Sequence, residues 1–288
     1  MKYGFFTGCT SQADSYENEI SSRAILTHFG IDFQDIEDQN CCGTPIKTTK
    51  HSMWGFLAAR VHALAKKQGY EAIATICNGC DLSLSELSHE LAHHPDTIDL
   101  INEALAKEGL HYDGPLPVRN ILEILYEDIG LEKIQKSVKK KLKGFVTAAH
   151  YGCHAIRPKT IKRPDHHEQP THIQEILEVL GAQSPAYPEL LDCCSATTIG
   201  IDAEKALTVS GEKINTMKLR GYNSIANICP FCHKQLGASQ DVAGKVLGKD
   251  VKLPAMYLSQ YIGLAIGMDD EALGLQFNLT GWEELVNK

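Results

Sequence analysis

Short apolar runs alternate with longer polar or amphipathic stretches along the chain, and this alternation predicts strands that alternate with helices. The apolar runs predicted to be strands are residues 2–7, 31–36, 72–76, 145–150 and 224–228. The longer stretches predicted to be helices are residues 15–29, 52–68, 171–180 and 202–220. A glycine follows each of these helices, which is typical of a helix end. The pattern therefore predicts an α/β fold.

The pattern changes between the two groups of predicted strands. Residues 82–142 are predicted to be mostly helical, with a break at Gly114-Pro115-Leu116-Pro117. Residues 157–169 are polar and contain two prolines, so they are predicted to form a loop. We therefore expect two halves, residues 1–143 with the helical connector and residues 144–288, each built from short parallel strands flanked by helices.

An internal repeat supports this division. Residues 69–77 read GYEAIATIC and residues 221–229 read GYNSIANIC, with the same Gly, Tyr, Ile, Ala, Ile and Cys in register. A helix-ending glycine, a strand and a cysteine thus recur at fixed offsets, as in duplicated structural units. We expect the two halves to be related by a pseudo-twofold axis and to meet at a shared cleft.

The composition narrows the class of protein. The chain has 288 residues, of which 43% are hydrophobic and 22% charged, as in ordinary globular proteins. A net charge of −8 argues against nucleic acid or an anionic membrane as the main partner. The apolar run at residues 255–266 is too short to span a bilayer. The first residues do not resemble a signal peptide, so we expect a cytoplasmic protein whose thiols stay reduced.

Ten cysteines carry the candidate chemistry, and they occur in one order that the chain contains twice. The first set has the spacing C-x31-C-C-x34-C-x-x-C and the second has C-x39-C-C-x34-C-x-x-C. Five disulfides are an alternative interpretation, which a reducing compartment and adjacent cysteine pairs disfavour. Five thiols sorted into each half instead indicate two sites for a soft metal.

The fifth cysteine of each set is informative about the kind of metal site. A structural zinc ion and an ordinary cubane cluster each take four ligands. Two adjacent cysteines do not easily chelate one ion, although each can bind a different iron of a larger cluster. The spacing therefore leaves two alternatives: a cluster of unusual shape, or four ligands with one reactive thiol.

The doubled motif resembles the two cysteine-rich CCG motifs of the heterodisulfide reductase B-subunit family, and the resemblance covers essentially the whole chain. The sequence His150-Tyr151-Gly152-Cys153-His154 also resembles the family's second leading-cysteine segment. The resemblance implies two pseudo-symmetric CCG-type halves, each binding a noncubane [4Fe-4S] cluster, with zinc as an alternative at one site. The implied ligands are Cys9, Cys41, Cys42, Cys77 and Cys80 for one cluster and Cys153, Cys193, Cys194, Cys229 and Cys232 for the other.

One position departs from the motif. The first pair is followed by Gly43, as the name of the motif requires, but the second is followed by Ser195. Glycine at this position would allow a positive φ or a close approach of backbone to cluster. The serine therefore leaves the surroundings of the second cluster and the substrate open.

The resemblance implies an oxidoreductase that acts on a sulfur–sulfur bond held between the two clusters, as one subunit of a complex. One alternative is a sulfur-oxidising complex of related subunits, which takes electrons from sulfur on a carrier. Another is a non-catalytic electron-transfer subunit or a scaffold containing zinc. The chain has neither a ferredoxin cysteine run nor a dinucleotide fingerprint. Electrons are therefore expected to pass through another polypeptide, and the family resemblance implies a ferredoxin-like iron–sulfur subunit coupled to a flavin-containing subunit.

Several residues near the cysteines are candidates for supporting roles. His150, His154 and His233 lie close to candidate ligands and are candidate catalytic residues that donate protons or orient the substrate. Hydrogen bonding behind the ligands is the alternative role for each of them. The basic residues of the polar loop, Arg157, Lys159 and Arg163, are candidates for attracting an anionic thiol substrate, with solvated loop side chains as the alternative.

Overall fold

Two parallel sheets form the framework of the chain, which the computed structural model describes at residues 1–94 and 96–286. The first sheet has the strand order β2-β1-β3-β4, and the second has the order β5-β6-β7. All pairings between neighbouring strands are parallel. The strands are β1 Tyr3–Phe6, β2 Phe33–Asp35, β3 Ala72–Thr75, β4 Val118–Asn120, β5 Thr147–His150, β6 Ser224–Asn227 and β7 Ala255–Tyr257.

Helices connect these parallel strands, as crossover connections require. They are α1 Cys9–Asp14, α2 Tyr16–His28, α3 His51–Lys67, α4 Asn78–His93, α5 Asp96–Leu105, α6 Ile121–Glu123, α7 Leu131–Ser137, α8 Cys153–Ile156, α9 His172–Val179, α10 Ala203–Leu219, α11 Pro230–His233, α12 Gln240–Leu247, α13 Leu258–Ile266 and α14 Glu283–Val286. Two π-helical turns, Ile124–Ile129 and Lys234–Ala238, continue α6 and α11. The mixed α/β fold with two parallel sheets confirms the expected fold class.

The two halves share a topology. In the first sheet β1 lies between β2 and β3, and in the second β5 occupies the matching position beside β6. An isolated parallel bridge between Val146 and Gln183 stands where β2 stands in the first sheet. The proposed boundary between residues 143 and 144 falls in the segment between α7 and β5 and stays a prediction.

Two short strands were not predicted from the sequence. β4 lies inside residues 82–142, which were predicted to be mostly helical, and β7 opens the apolar run 255–266. Both have three residues, too few to show a period of their own. They are strands because they pair with longer neighbours, Ile73 with Val118 and Ile225 with Ala255.

The two halves are packed against each other through buried polar contacts. The hydroxyls of Ser21 on α2 and Ser259 on α13 lie 2.7 Å apart. The side-chain amide of Asn78 donates to the carbonyl of Tyr151 at 2.6 Å, which joins the start of α4 to the segment after β5. These bonds fix the cysteine-bearing segments of one half relative to those of the other.

Candidate metal centre

The carboxyl ends of the central strands position four of the ten cysteines. Cys9 and Cys153 begin short helices just after β1 and β5, and Cys77 and Cys229 cap the helices after β3 and β6. Because parallel strands end at the same edge of a sheet, each half brings its cysteines together there. The adjacent pairs arrive on loops that a 3₁₀ turn follows in both halves, Thr44–Ile46 and Ala196–Thr198.

All ten cysteines are free thiols, and neighbouring thiols form a continuous series of contacts. In the second half the Cys153 and Cys193 sulfurs are 3.8 Å apart, and those of Cys194 and Cys232 are 3.4 Å apart. In order of contact, the first half contributes Cys9, Cys41, Cys42, Cys80 and Cys77, and the second contributes Cys229, Cys232, Cys194, Cys193 and Cys153. Each half thus gathers the five thiols that the spacing grouped together.

The two sets of thiols meet at one point. The thiols of Cys77 and Cys229, which occupy equivalent places in the repeat, lie close enough to shift each other's pKa. Nine of the ten cysteines line a single cavity between the halves. Its remaining wall consists of Thr7, Gly8, Thr10, Ser11, Thr44, Pro45, Asn78, Gly79, Gly152, His154, Ala196, Thr197, Pro230 and Phe231.

The thiols share protons unequally. Interactions with Cys41, Cys153 and Cys232 hold the pKa of Cys42, Cys193 and Cys229, respectively, below the usual range of a thiol. The neighbouring thiols of Cys41, Cys153 and Cys232 have raised pKa values. A dense group of thiols is suited to a soft cation, which binds sulfur in its thiolate form.

Two glycines allow close packing around the sulfurs. Gly8 and Gly152, each preceding a leading cysteine, have φ values of +75° and +76°. A Cβ atom on Gly8 would lie 3.0 Å from the Cys80 sulfur, and one on Gly152 would lie 2.9 Å from the Cys232 sulfur. Backbone therefore covers a ligand sulfur in each half, where a side chain would displace it. This arrangement fits a compact cluster bound close to the main chain.

Ser195 keeps the backbone conformation of the glycine that it replaces. Its φ is +62°, in the left-handed region, and that of Gly43 is +85°. In both halves the backbone N–H of this residue donates to the first sulfur of the pair, Cys41 at 3.5 Å and Cys193 at 3.3 Å. The serine in the second motif therefore keeps the backbone arrangement of the first, because both turns donate an N–H to a cysteine sulfur.

The structure places the three candidate histidines in different surroundings. His154 lines the cavity. His150 is fully buried, and neither of its ring nitrogens has a hydrogen-bond partner among the described residues. One of its nitrogens forms a compact group with the sulfurs of Cys194 and Cys232, all within 4.8 Å of one another. His150 therefore lies behind the second set of candidate ligands and faces the sulfurs of Cys194 and Cys232.

His233 is buried in a polar network. Its Nδ1 lies 3.3 Å from the side-chain amide of Asn227, its Nε2 lies 3.4 Å from a Glu17 carboxylate oxygen, and its ring stacks on Tyr257. Burial lowers the pKa of His233 to about 4. A catalytic role for His233 or for the other two histidines stays a prediction.

Arg163 has a structural contact that the sequence did not indicate. Its guanidinium is buried, pairs with the Asp81 carboxylate and donates to the His154 carbonyl at 2.6 Å. It therefore connects the loop of the second half to α4 of the first. Its charge is held by Asp81, so the idea that it attracts an anionic thiol is not supported.

Sequence reasoning also missed Lys213, a buried residue of α10. Its ammonium donates to the carbonyls of Glu189 and Asp192, just before the second cysteine pair. Burial lowers its pKa to about 8, although Asp192 and nearby thiols favour the charged form. A charged residue on a helix usually faces solvent, and only alignment of the two halves could have drawn attention to this one.

Comparison with known proteins defines first the class of domain. A model of the CCG family, described as a cysteine-rich domain, matches residues 3–85 and again residues 147–237. The two matches cover both cysteine sets. The chain is thus a protein with two CCG domains.

Full-length relatives then identify the family. The chain is 33% identical to a protein of Archaeoglobus profundus named as similar to the B subunit of heterodisulfide reductase, over 94% of this chain and 92% of the relative. It is 32% identical to the B subunit of the ferredoxin/F420H2-dependent CoB-CoM heterodisulfide reductase of Methanosarcina acetivorans, over 96% and 93%. The chain belongs to the heterodisulfide reductase B-subunit family, which confirms the resemblance seen in its motifs.

Other relatives have different names. The chain is 30% identical to the 8-methylmenaquinol:fumarate reductase membrane anchor subunit of Wolinella succinogenes, over 96% of each chain. A crystal structure of a hypothetical protein from Helicobacter pylori matches the fold with a TM-score of 0.79 at 18% identity, over 97% of this chain and 52% of that one. Across residues 1–94 and 96–286, no helix has both the length and the apolar character needed to cross a bilayer.

Proposed function

We propose that this chain is the iron–sulfur subunit of a heterodisulfide reductase-type complex, in which two noncubane [4Fe-4S] clusters make or break a sulfur–sulfur bond. The main support is that five thiols converge in each half, while the two sets meet in one cavity through Cys77 and Cys229. Family membership and the pair of CCG domains support the same function.

The contacts among the thiols support five ligands for each cluster. Cys9, Cys41, Cys42, Cys77 and Cys80 would hold one cluster, and Cys153, Cys193, Cys194, Cys229 and Cys232 the other. When bound, such clusters supply iron that can hold sulfur and pass electrons singly. The glycines at positions 8 and 152 leave room for the sulfurs, and the N–H groups of Gly43 and Ser195 orient one sulfur of each pair.

The chain's other residues would position the substrate and its protons. Cleavage of one disulfide consumes two electrons and two protons and releases two thiols. Within the part of the chain that the structure describes, His154 is the titratable group on the cavity wall apart from the cysteines. We infer that it delivers or relays a proton to a departing thiolate. Pro45, Ala196 and Phe231 give the same cavity apolar walls.

Electrons would be exchanged with a partner subunit that carries an iron–sulfur cluster or a flavin. In the reversed flow, two thiols, one of them on a carrier, would be joined into a disulfide with release of two electrons and two protons, which is the reverse of the cleavage. The direction therefore depends on the potential of the partner and on the substrate, while the ligands and the cavity serve both directions.

The test begins with metal analysis of the full chain purified without oxygen. Iron and acid-labile sulfide should be bound in equal amounts, near eight of each per chain for two [4Fe-4S] clusters. Cys80→Ser and Cys232→Ser should each lose about half of the iron, because each removes a ligand from one half only. Zinc in place of iron would overturn the proposal in favour of a scaffold role.

The reaction is tested separately, with reduced methyl viologen as electron donor and the coenzyme M–coenzyme B heterodisulfide as probe. Two thiols should be released for every two electrons consumed, and either cysteine variant should abolish the release. If fully loaded protein neither releases thiols nor oxidises them in the reverse assay, it transfers electrons without catalysing the sulfur chemistry.

A further inference from the structure

The two halves differ where the repeat should make them alike. Phe6 and His150 each stand three residues before a leading cysteine, so they are equivalent positions. Val61 and Lys213 each stand eight residues before the glycine that ends their helix, so they are equivalent as well. At both positions the first half has an apolar side chain and the second half has a basic one.

Lys213 brings a charge close to the second set of cysteines. Its side chain is buried, and its Nζ donates to the carbonyl of Glu189 at 2.9 Å and to that of Asp192 at 2.6 Å. Asp192 directly precedes Cys193, and the thiols of Cys193, Cys194 and Cys232 lie within electrostatic reach of the ammonium. The Asp192 carboxylate is also within reach and offsets part of the charge.

The first half has no matching buried charge at Val61, which is fully enclosed in the apolar core. The nearest counterpart is Arg60, which donates to the carbonyl of Asp38 before the first cysteine pair at 2.8 Å. Its guanidinium, however, pairs with the carboxylate of Glu108 at 2.6 Å. The charge of Arg60 is therefore balanced by its partner, and the pair is partly exposed to solvent, which screens it.

His150 adds a second difference in the same direction. A neutral imidazole carries one N–H donor, and this ring has no hydrogen-bond partner among the described residues, while it faces the sulfurs of Cys194 and Cys232. The equivalent Phe6 offers no donor. Hydrogen bonds to ligand sulfurs and nearby positive charge both stabilise the reduced, more negative form of an iron–sulfur cluster.

We propose that Lys213, assisted by His150, gives the cluster of the second half a higher reduction potential than the cluster of the first. This inference rests on the proposed function, because it requires that each half binds a cluster. The consequence is a preferred direction of electron transfer between the two centres of the chain. An electron that reaches the first centre moves to the second, so a substrate sulfur beside the second centre receives the first electron.

The experiment is a redox titration of the full iron-loaded chain, followed by electron paramagnetic resonance. The wild-type protein should show two separate one-electron transitions. Lys213→Met should shift one of them to lower potential by at least about 59 mV. This shift corresponds to a tenfold change in the ratio of reduced to oxidised cluster at a given potential. The other transition should not move.

Lys205→Met is the matched control, since it removes the same charge from an exposed position of the same helix. It should leave both transitions unchanged, and Lys213→Arg should keep the wild-type separation. A single transition in the wild-type protein overturns the inference, whether or not the variants fold. Equal shifts of both transitions in Lys213→Met also overturn it. A protein without iron would instead refute the proposed function.

Discussion

Gly152 packs closely against a candidate ligand, the Cys232 sulfur. Its φ of +76° strains any other residue, and its missing Cβ leaves room for the Cys232 sulfur 2.9 Å away. Gly152→Ala should therefore displace that sulfur and lose about half of the bound iron, while the first centre is kept. Iron per chain, measured after anaerobic reconstitution, checks this.

Gly221 offers a control for the backbone strain alone. Its φ is +87°, but nothing lies within 4 Å of the place where a Cβ would stand. Gly221→Ala should cost about 1–2 kcal/mol of stability, as expected for a left-handed residue that gains a Cβ. It should retain all of its iron. Equal iron loss in the two variants would show that strain, and not contact with sulfur, is the cause.

Gly43 and Ser195, which occupy equivalent positions in the two halves, give a second prediction for single residues. Ser195→Gly relieves a left-handed conformation and should raise the free energy of unfolding by up to about 1 kcal/mol. Gly43→Ser should lower it by more, because its Cβ would lie 2.9 Å from Cδ1 of Trp54. Thermal unfolding of the two variants, compared with wild type, measures both effects. A stabilised Gly43→Ser protein would contradict this account.

The strands and helices differ in how far the sequence predicts them. β1, β3, β5 and β6 are buried throughout, and continuous apolar runs revealed them. β4 and β7 were not predicted because they lie inside longer stretches, residues 82–142 and 255–266, whereas the equally short β2 lies in a separate run at residues 31–36. Pairing with β3 and β6 makes them strands. The long helices α2, α3 and α10 ended where a glycine predicted it, because the left-handed turn after a helix favours that residue.

His62 joins three segments of the fold, and its burial predicts that the stability of the chain depends on pH. It lies on α3, its Nε2 is 3.1 Å from the carbonyl of Leu84 on α4, and its Nδ1 accepts the N–H of Leu116 at 3.1 Å. Burial lowers its pKa from 6.5 to about 4. Between these pH values the unfolded chain therefore binds a proton at His62 that the folded chain does not bind. The free energy of unfolding falls as the pH falls through this window.

The difference in pKa corresponds to about 3 kcal/mol once the pH is below 4. Acidification from pH 7 to pH 4.5 should therefore destabilise the wild-type chain more than His62→Gln, whose amide does not titrate. Urea unfolding at both pH values measures the difference. His111→Gln, at an exposed position, should behave like wild type. An equal loss in all three proteins would assign the acid sensitivity to other groups.

At the scale of the whole molecule, the buried pair of Arg163 and Asp81 joins the two halves. Arg163→Met leaves the Asp81 carboxyl buried without its partner, which typically costs about 3–5 kcal/mol. It also frees the carbonyl of His154, beside Cys153. We expect a large drop in the unfolding temperature, measured by circular dichroism.

Lys162→Met tests whether the effect depends on burial. The Lys162 side chain is 65% exposed and pairs with Glu123 at 3.0 Å. Removing this lysine should cost less than about 1 kcal/mol, because its ammonium is screened by solvent and the buried Glu123 carboxylate keeps Arg119 as a second partner at 3.7 Å. The double variant Arg163→Met with Asp81→Asn should recover part of the loss, because it no longer buries an unpaired acid. Similar losses in Arg163→Met and Lys162→Met would refute a special role for the buried pair.

The site was predictable where covalent spacing determines it and unpredictable where the folded halves meet. The cysteine order grouped the thiols correctly, since each group comes from one half. The contact between Cys77 and Cys229, the orientation of His150 and the burial of Lys213 depend on distant segments packing together. No local pattern encodes such contacts, although comparing the halves position by position reveals where they differ.

The duplicated architecture has a consequence for how such a site can diverge. Each half contains its own complete set of five thiols, and the halves touch through the equivalent residues Cys77 and Cys229. Two identical chains meeting at this contact would have to carry the same residue at every matching position. Covalent fusion removes that requirement, so one of two matching positions can hold phenylalanine while the other holds a histidine that faces the sulfurs.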